Sequence, residues 1–270
     1  MAPCILKKMP LRLIPSILIP LAATLLFTVP SSAQQPTLDT VLTRLQENST
    51  IYTLSLPNFF VDETFTSQEL TGALMRQSVT TVSTLRVVHK PGEANKPVKT
   101  VESREVRTIN NKPAHGDRVK GPMVLNGSFD TALTMFTASH ITCFTYKLLP
   151  SPDPKHLLLS FTAKDAVRSC PASIEGETGQ ALLDLQTMQP IHIDRTVPHA
   201  EGAGRGTFLW SIDFTPTMLG DRLFNMPTTI RTQLGVFNSP YIFQTNATYT
   251  NYHRLAVSST ILPSPSSPQP

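Results

Sequence analysis

The histidines and carboxylates of this chain show no spacing that predicts a catalytic or metal site. The seven histidines are scattered, and none forms the His-x-x-x-His or His-Glu pattern that places metal ligands side by side. Asp62-Glu63 and Asp165 lack the spacing of paired catalytic carboxylates. We therefore expect surface or hydrogen-bonded histidines, no metal and no cofactor.

Nucleophile and phosphate motifs are also missing from the sequence. No Gly-x-Ser-x-Gly elbow is present, so a hydrolase nucleophile has no sequence support. The glycine-rich run Gly202–Gly206 precedes a predicted strand instead of opening a helix, which is the wrong context for a phosphate-binding loop. The chain is predicted not to be an enzyme.

Three Asn-x-Ser/Thr sequences match the N-glycosylation pattern, at Asn48, Asn126 and Asn246. They matter only in an exported eukaryotic protein, and the sequence does not identify the source.

The first 33 residues have the three-part layout of a secretory signal. Lys7, Lys8 and Arg12 precede the apolar stretch 13–29, and small residues follow up to Ala33. We expect cleavage after Ala33 and an exported protein, periplasmic or extracellular. The alternative is an N-terminal membrane anchor, which Pro15 and Pro20 disfavour because they interrupt the apolar stretch.

Removing this leader changes the charge balance of the chain. The whole sequence has 23 basic and 19 acidic side chains, and loss of the leader leaves 20 basic residues against 19 acidic. The mature part therefore lacks the basic footprint of a nucleic-acid-binding protein. It also lacks a second long apolar segment, so we expect no transmembrane span in it.

Cys143 and Cys170 are the two cysteines that remain after cleavage. Export favours their oxidation, and they flank two predicted strands, so a disulfide across a hairpin is geometrically reasonable. Two buried free thiols are the alternative.

The remaining pattern predicts one β-rich domain, 34–262, and a disordered Pro/Ser tail, 263–270. A helix begins after Pro36-Thr37 and ends near residues 48–50, and a second, short helix is predicted over Phe129–Ala138. Nine or ten strands alternate apolar with polar residues, which indicates one dry and one wet face. We expect an α+β, mostly antiparallel fold: a strongly curved sheet, or incomplete β-barrel, around one or two helices, with a two-sheet sandwich as the alternative.

The clearest alternation lies in Thr207–Phe214, where Phe208, Trp210 and Phe214 share one face. Such a stripe is usually core, packed here on the first helix. Alternatively, these three residues line an apolar cavity and bind a fatty chain.

Three segments resemble known families. The strand-turn-strand run Gly179–Arg195 and the stretch Ala247–Arg254 resemble periplasmic lipoprotein carriers of the LolA/LolB type, and Val101–Pro113 resembles uncharacterised exported proteins of soil bacteria. The resemblance implies an incomplete β-barrel that holds helices on its concave side, where such carriers bind acyl chains.

These observations predict an exported, non-enzymatic carrier of a hydrophobic ligand or lipoprotein segment. Acyl chains or lipoproteins are its expected partners. A cell-envelope interaction module that binds proteins along its exposed sheet edges is the alternative. A secreted hydrolase with dispersed catalytic residues has the least support.

Overall fold

The computed structural model describes residues 35–90, 99–151, 153–165, 169–171, 174–201 and 204–255. The predicted signal segment 1–33, its cleavage site after Ala33 and the tail 263–270 lie outside these residues. Within the described ranges, no helix is both long enough and apolar enough to cross a membrane.

Helix α1 spans Leu38–Ser55. Its N-cap is Thr37, whose side-chain oxygen accepts a hydrogen bond from the Thr40 amide, and Asp39 lies in the first turn, where a negative charge stabilises the helix. The predicted end at residues 48–50 is wrong. Thr50 and Thr53 instead direct their hydroxyls to backbone carbonyls one turn earlier, so these polar residues remain inside the helix.

In the part of the chain that the structure describes, eleven strands form one sheet, and each strand pair in it is antiparallel. They are β1 Phe59–Thr71, β2 Leu74–Lys90, β3 Lys99–Ile109, β4 Lys112–Pro113, β5 Phe144–Leu149, β6 His156–Ala163, β7 Thr178–Asp184, β8 Pro190–Glu201, β9 Gly204–Leu219, β10 Arg222–Val236 and β11 Tyr241–Arg254.

The strand order is β4-β3-β2-β1-β11-β10-β9-β8-β7-β6-β5. Within the described residues the edge strands β4 and β5 do not pair with each other, so the curved sheet is unclosed. This architecture confirms the predicted α+β incomplete barrel and excludes the two-sheet sandwich. α1 is the one long helix of the described residues.

Buried side chains alternate along the strands and identify the inner face of the sheet. In β1, Phe59, Val61, Glu63, Phe65 and Ser67 are buried, and the residues between them are more exposed. Buried residues from α1 and from both halves of the sheet form one cluster. The core therefore lies on the inner face.

β9 extends beyond the alternating run Thr207–Phe214, and both β9 and β10 include a proline. β9 continues through Pro216, and β10 includes Pro227, next to which the pairing register shifts before Thr229. A proline in a strand is tolerated at a bulge or where its missing N–H is not needed by the neighbour.

The second predicted helix, Phe129–Ala138, is wrong. That region contains only the four-residue helix α2, Ser128–Thr131, and a 3₁₀ turn, Thr134–Phe136. Another 3₁₀ turn, Ile141–Cys143, precedes β5. Phe129 and Phe136 are both buried, so their spacing reflects burial in an irregular chain and not a continuous helix.

Candidate functional site

The connection between β4 and β5, residues 114–143, is here called the crossing segment. It joins the two opposite edges of the sheet. Residues along this segment contact successive strands of the sheet on its inner face, so the segment crosses that face. The candidate site is defined by what this segment covers and what it leaves exposed.

Side chains from the β1–β3 half of the sheet bind the backbone of the crossing segment. Arg104 donates hydrogen bonds to the Leu125 carbonyl at 3.1 Å and to Oδ1 of Asn126 at 2.9 Å. Glu102 accepts from the Gly127 amide at 2.8 Å and from the next-but-one amide at 3.3 Å. Irregular backbone that is buried needs such partners, because it has no ladder of its own.

Arg104 is held by a buried ion pair. Its Nε lies 2.6 Å from Oε2 of Glu63, and its Nη2 donates to Oε1 of Glu63 at 3.0 Å, which makes the pair bidentate. The Glu63 side chain is fully buried, that of Arg104 is 6% exposed, and Ser83 donates a third hydrogen bond to Glu63. Burial alone would lower the pKa of Arg104, but the hydrogen bond and charge of Glu63 raise it.

Among these buried charged residues, Glu102 is the carboxylate whose charged form is destabilised by burial. Burial raises the pKa of its carboxyl group, and the two amide hydrogen bonds and the nearby Arg104 charge offset that effect only in part. The ionised carboxylate accepts the two amide hydrogen bonds from the crossing segment, so its protonation at acidic pH weakens the attachment of that segment to the sheet.

The other half of the sheet holds the segment in the same way. Arg195 lies 2.8 Å from Glu177 in a second buried pair and donates to the Thr131 carbonyl at 3.2 Å. The Tyr146 hydroxyl donates to the Met135 carbonyl at 2.5 Å.

The predicted disulfide is present between Cys143 and Cys170. Cys143 immediately precedes β5 and Cys170 follows β6, so the bond closes the base of this hairpin. It also fixes the end of the crossing segment.

Aromatic rings fill the space between the segment and the sheet. Phe129 packs edge-on against Phe59 at 5.4 Å and Tyr249 at 5.0 Å, and Phe136 packs against Phe161 at 6.1 Å between ring centres. These contacts leave a cavity of only about 10 Å³ beside Phe129. The space between Phe129 and the end of α1 is therefore almost filled.

Two larger depressions are open surface grooves of about 380 and 330 Å³. The exposed lining of the first groove is mostly polar, and that of the second is mostly apolar. The first is bordered by Thr84, Arg86, Ser103, Arg104, Glu105 and Asp117, and the second by Asp194–Thr196, Leu209–Ser211 and Arg231–Gln233. Neither groove is an enclosed chamber, because both are open to solvent.

The three predicted ligand residues occupy two different environments on the inner face. Phe214 is 5% exposed and belongs to the core. Phe208 and Trp210 are partly exposed, pack against the margin of the core, and meet edge-on at 5.1 Å. Within β9, the side chains on the inner face are therefore buried at Phe214 and partly exposed at Phe208 and Trp210.

Strand register adds three residues that sequence reasoning missed. Val197 and Leu234 pair with Phe208 from its two neighbouring strands, and Phe243 pairs with Leu234, so all four side chains share the inner face. All are partly exposed. We name Val197, Phe208, Trp210, Leu234 and Phe243 the rim patch.

The rim patch and α1 lie at opposite ends of the sheet. Asn48 of α1 donates hydrogen bonds to the Thr187 and Met188 carbonyls in the β7–β8 turn. Phe243 instead pairs with Glu69, close to the β1–β2 turn at the other end. The helix covers one end of the inner face, and the rim patch is partly exposed at the other.

One histidine has two carboxylate partners on the outer face. Nδ1 of His192 lies 2.6 Å from Asp213, and its Nε2 lies 3.0 Å from Asp194. Both ring nitrogens are thus occupied by carboxylates, so neither is available to activate a nucleophile. In the described part of the chain, no group of three or more His, Cys, Asp or Glu residues is arranged to hold a metal ion.

Comparisons with known proteins give a fold likeness at most. No family model matches the sequence, and no curated protein matches it. One similar solved structure is a LolA superfamily protein from Nitrosomonas europaea, with 10% identity, coverage of 80% of this chain and 94% of that chain, and a TM-score of 0.34. At this level the likeness says nothing about function, and the LolA/LolB resemblance stays a prediction.

Proposed function

We propose that this chain is an exported, non-enzymatic binding protein that carries a hydrophobic ligand, an acyl chain or the lipid-modified segment of a lipoprotein. The observation that supports this is the rim patch. Five apolar side chains on adjacent strands remain partly exposed on the face that buries most of the apolar core. A continuous apolar surface of this kind suits a hydrocarbon chain, because removing apolar area from water is favourable.

The packed interior determines how such a ligand binds. The cavity beside Phe129 is far too small for a chain. The ligand therefore lies first along the rim patch, and deeper entry requires part of the crossing segment to move. That segment contains only one turn of α-helix and two 3₁₀ turns, and side-chain hydrogen bonds attach it to the sheet.

A catalytic alternative is less well supported. His192 is the histidine with the most developed carboxylate environment among the described residues, and it lies on the outer face. It has no nucleophile among its recorded partners.

The test is binding of a fluorescent sixteen-carbon fatty acid to purified protein, compared across two variants. Leu234→Ser places a hydroxyl in the rim patch, and we expect affinity to fall about tenfold, the equivalent of losing part of one buried leucine. Leu209→Ser is the matched control, because Leu209 lies between Phe208 and Trp210 in sequence but has the opposite orientation. Absence of binding by the unmodified protein, or equal loss in both variants, would contradict the proposal.

A further inference from the structure

The most exposed apolar side chains at the rim-patch end lie on two hairpin turns. Leu74 and Met75, in the β1–β2 hairpin, are 65% and 55% exposed. Phe237, in the β10–β11 turn, is 70% exposed, and Tyr241 at the start of β11 is 37% exposed. We name these four residues the tip cluster.

Strand pairing places the two turns side by side. Thr71, the last residue of β1, pairs with Leu74 on one side and with Tyr241 on the other. Adjacent strands are about 4.8 Å apart, so the two hairpin ends are separated by roughly 10 Å. They are level with each other and form one surface.

The tip cluster is continuous with the rim patch. Tyr241 precedes Phe243 by two residues in β11, so their side chains share the inner face. Leu74 shares this face through its pairing with Thr71. An apolar strip therefore runs from Trp210 to Tyr241, and Leu74 lies beyond Thr71 on the same face.

Charge favours a bilayer as the occupant of this surface. Neither residues 71–77 nor residues 236–241 include an acidic side chain, and Arg76 among them is exposed. The β9–β10 turn at the other end also exposes Met218 and Leu223, but there the exposed cation Arg222 follows Asp221, whose side chain is 87% exposed and offsets its charge. Apolar groups next to a cation suit an anionic lipid surface, and an exposed carboxylate does not.

We propose that the tip cluster inserts into the interface of an anionic membrane and places the rim patch against the lipid. The inference rests on the proposed function, because an acyl ligand must enter from a membrane or leave to one. Phe237 and Leu74 supply the buried apolar area, Tyr241 lies at the headgroup level, and Arg76 faces the anionic headgroups.

The test is co-sedimentation of the disulfide-bonded protein with vesicles of equal parts phosphatidylcholine and phosphatidylglycerol. We expect the unmodified protein to bind and Leu74→Ser/Phe237→Ser to bind at least about tenfold more weakly. Met218→Ser/Leu223→Ser is the control, because it removes two apolar groups of similar exposure from the opposite end. Its binding should be unchanged.

The same variants separate this inference from the proposed function. The tip variant should still bind the fluorescent fatty acid, because its substitutions lie outside the rim patch. Fatty-acid binding without any vesicle binding by the unmodified protein would overturn membrane docking and leave the carrier proposal intact. Equal loss of vesicle binding in the tip and control variants would also overturn it.

Discussion

Replacing Arg104 with methionine tests whether the buried ion pair holds the crossing segment on the sheet. Arg104 contributes a bidentate bond to Glu63 and two hydrogen bonds to the segment. Methionine keeps much of the side-chain volume and removes all of these donors. Glu63 then remains fully buried, with Ser83 as its remaining recorded side-chain donor.

The structure sets the size of the effect. Breaking a buried pair by removing one partner costs about 3–5 kcal/mol, because the other charge is left uncompensated. The Leu125 carbonyl also loses its donor, which adds about 1 kcal/mol. We expect the free energy of unfolding to fall by about 4–6 kcal/mol in Arg104→Met.

A second substitution checks the cause. Glu63→Gln in the Arg104→Met background removes the uncompensated charge, so the double variant should be more stable than Arg104→Met alone. Arg107→Met is the control, since Arg107 pairs with Asp62 on the outer face with side chains 46% and 35% exposed. Exposed pairs contribute about 0–1 kcal/mol.

Urea unfolding with the disulfide intact measures these free energies. Hydrogen exchange reports the location, and we expect the amides of Gly127 and Phe129 to exchange faster in Arg104→Met than in Arg107→Met. The reasoning is refuted if Arg104→Met costs no more than Arg107→Met. It is also refuted if Glu63→Gln destabilises the Arg104→Met protein further.

Three further predictions concern the disulfide, a histidine and the β9 stripe. Replacing Cys143 and Cys170 together with alanine should lower the free energy of unfolding by about 3.5 kcal/mol for a 27-residue loop, and calorimetry with an unchanged melting temperature would contradict this. Burial opposes protonation of His192, but the hydrogen bonds to its two carboxylates outweigh that effect and raise its pKa. The stability that protonated His192 contributes to the fold is therefore complete below the pKa that His192 has in the unfolded chain. It is lost as the pH rises through the raised pKa of His192 in the folded protein. The stability advantage over His192→Asn should shrink over that range in urea titrations, and a pH-independent difference would count against it. Phe214→Ala should lower the free energy of unfolding by about 3–5 kcal/mol, and Trp210→Ala should lower it less because the Trp210 side chain is partly exposed. Thermal unfolding of both variants tests this, and a larger loss in Trp210→Ala would contradict it.

Local pattern was enough to predict the sheet but not the path of the chain across it. β6, His156–Ala163, is a short run of mostly apolar and β-branched residues that follows a proline-rich connection, which is a local signal for a strand. Within the crossing segment, the sequence predicts only the helix Phe129–Ala138, which is wrong. The path of the segment depends on β4 and β5 being at opposite edges of the sheet, and no local signal in residues 114–143 encodes that separation.

The candidate site was predicted in part for a similar reason. Alternation within β9 identified Phe208 and Trp210, because the signal is contained in one strand. Leu234 and Phe243 join them only through pairing between strands, which depends on register. Phe214 is buried and Trp210 is partly exposed although both belong to the same alternation, so the alternation alone does not distinguish them.

The most direct test of ligand binding at the rim patch uses Trp210, the one tryptophan in the chain. Fluorescence is recorded while the protein is titrated with a fatty acid brominated along its chain, and with the unbrominated acid as control. A bromine atom quenches an indole on contact, so binding along the patch predicts saturable quenching with the brominated acid alone and weaker quenching in Leu234→Ser. Binding of the acid without quenching of Trp210, or no binding, would contradict the account.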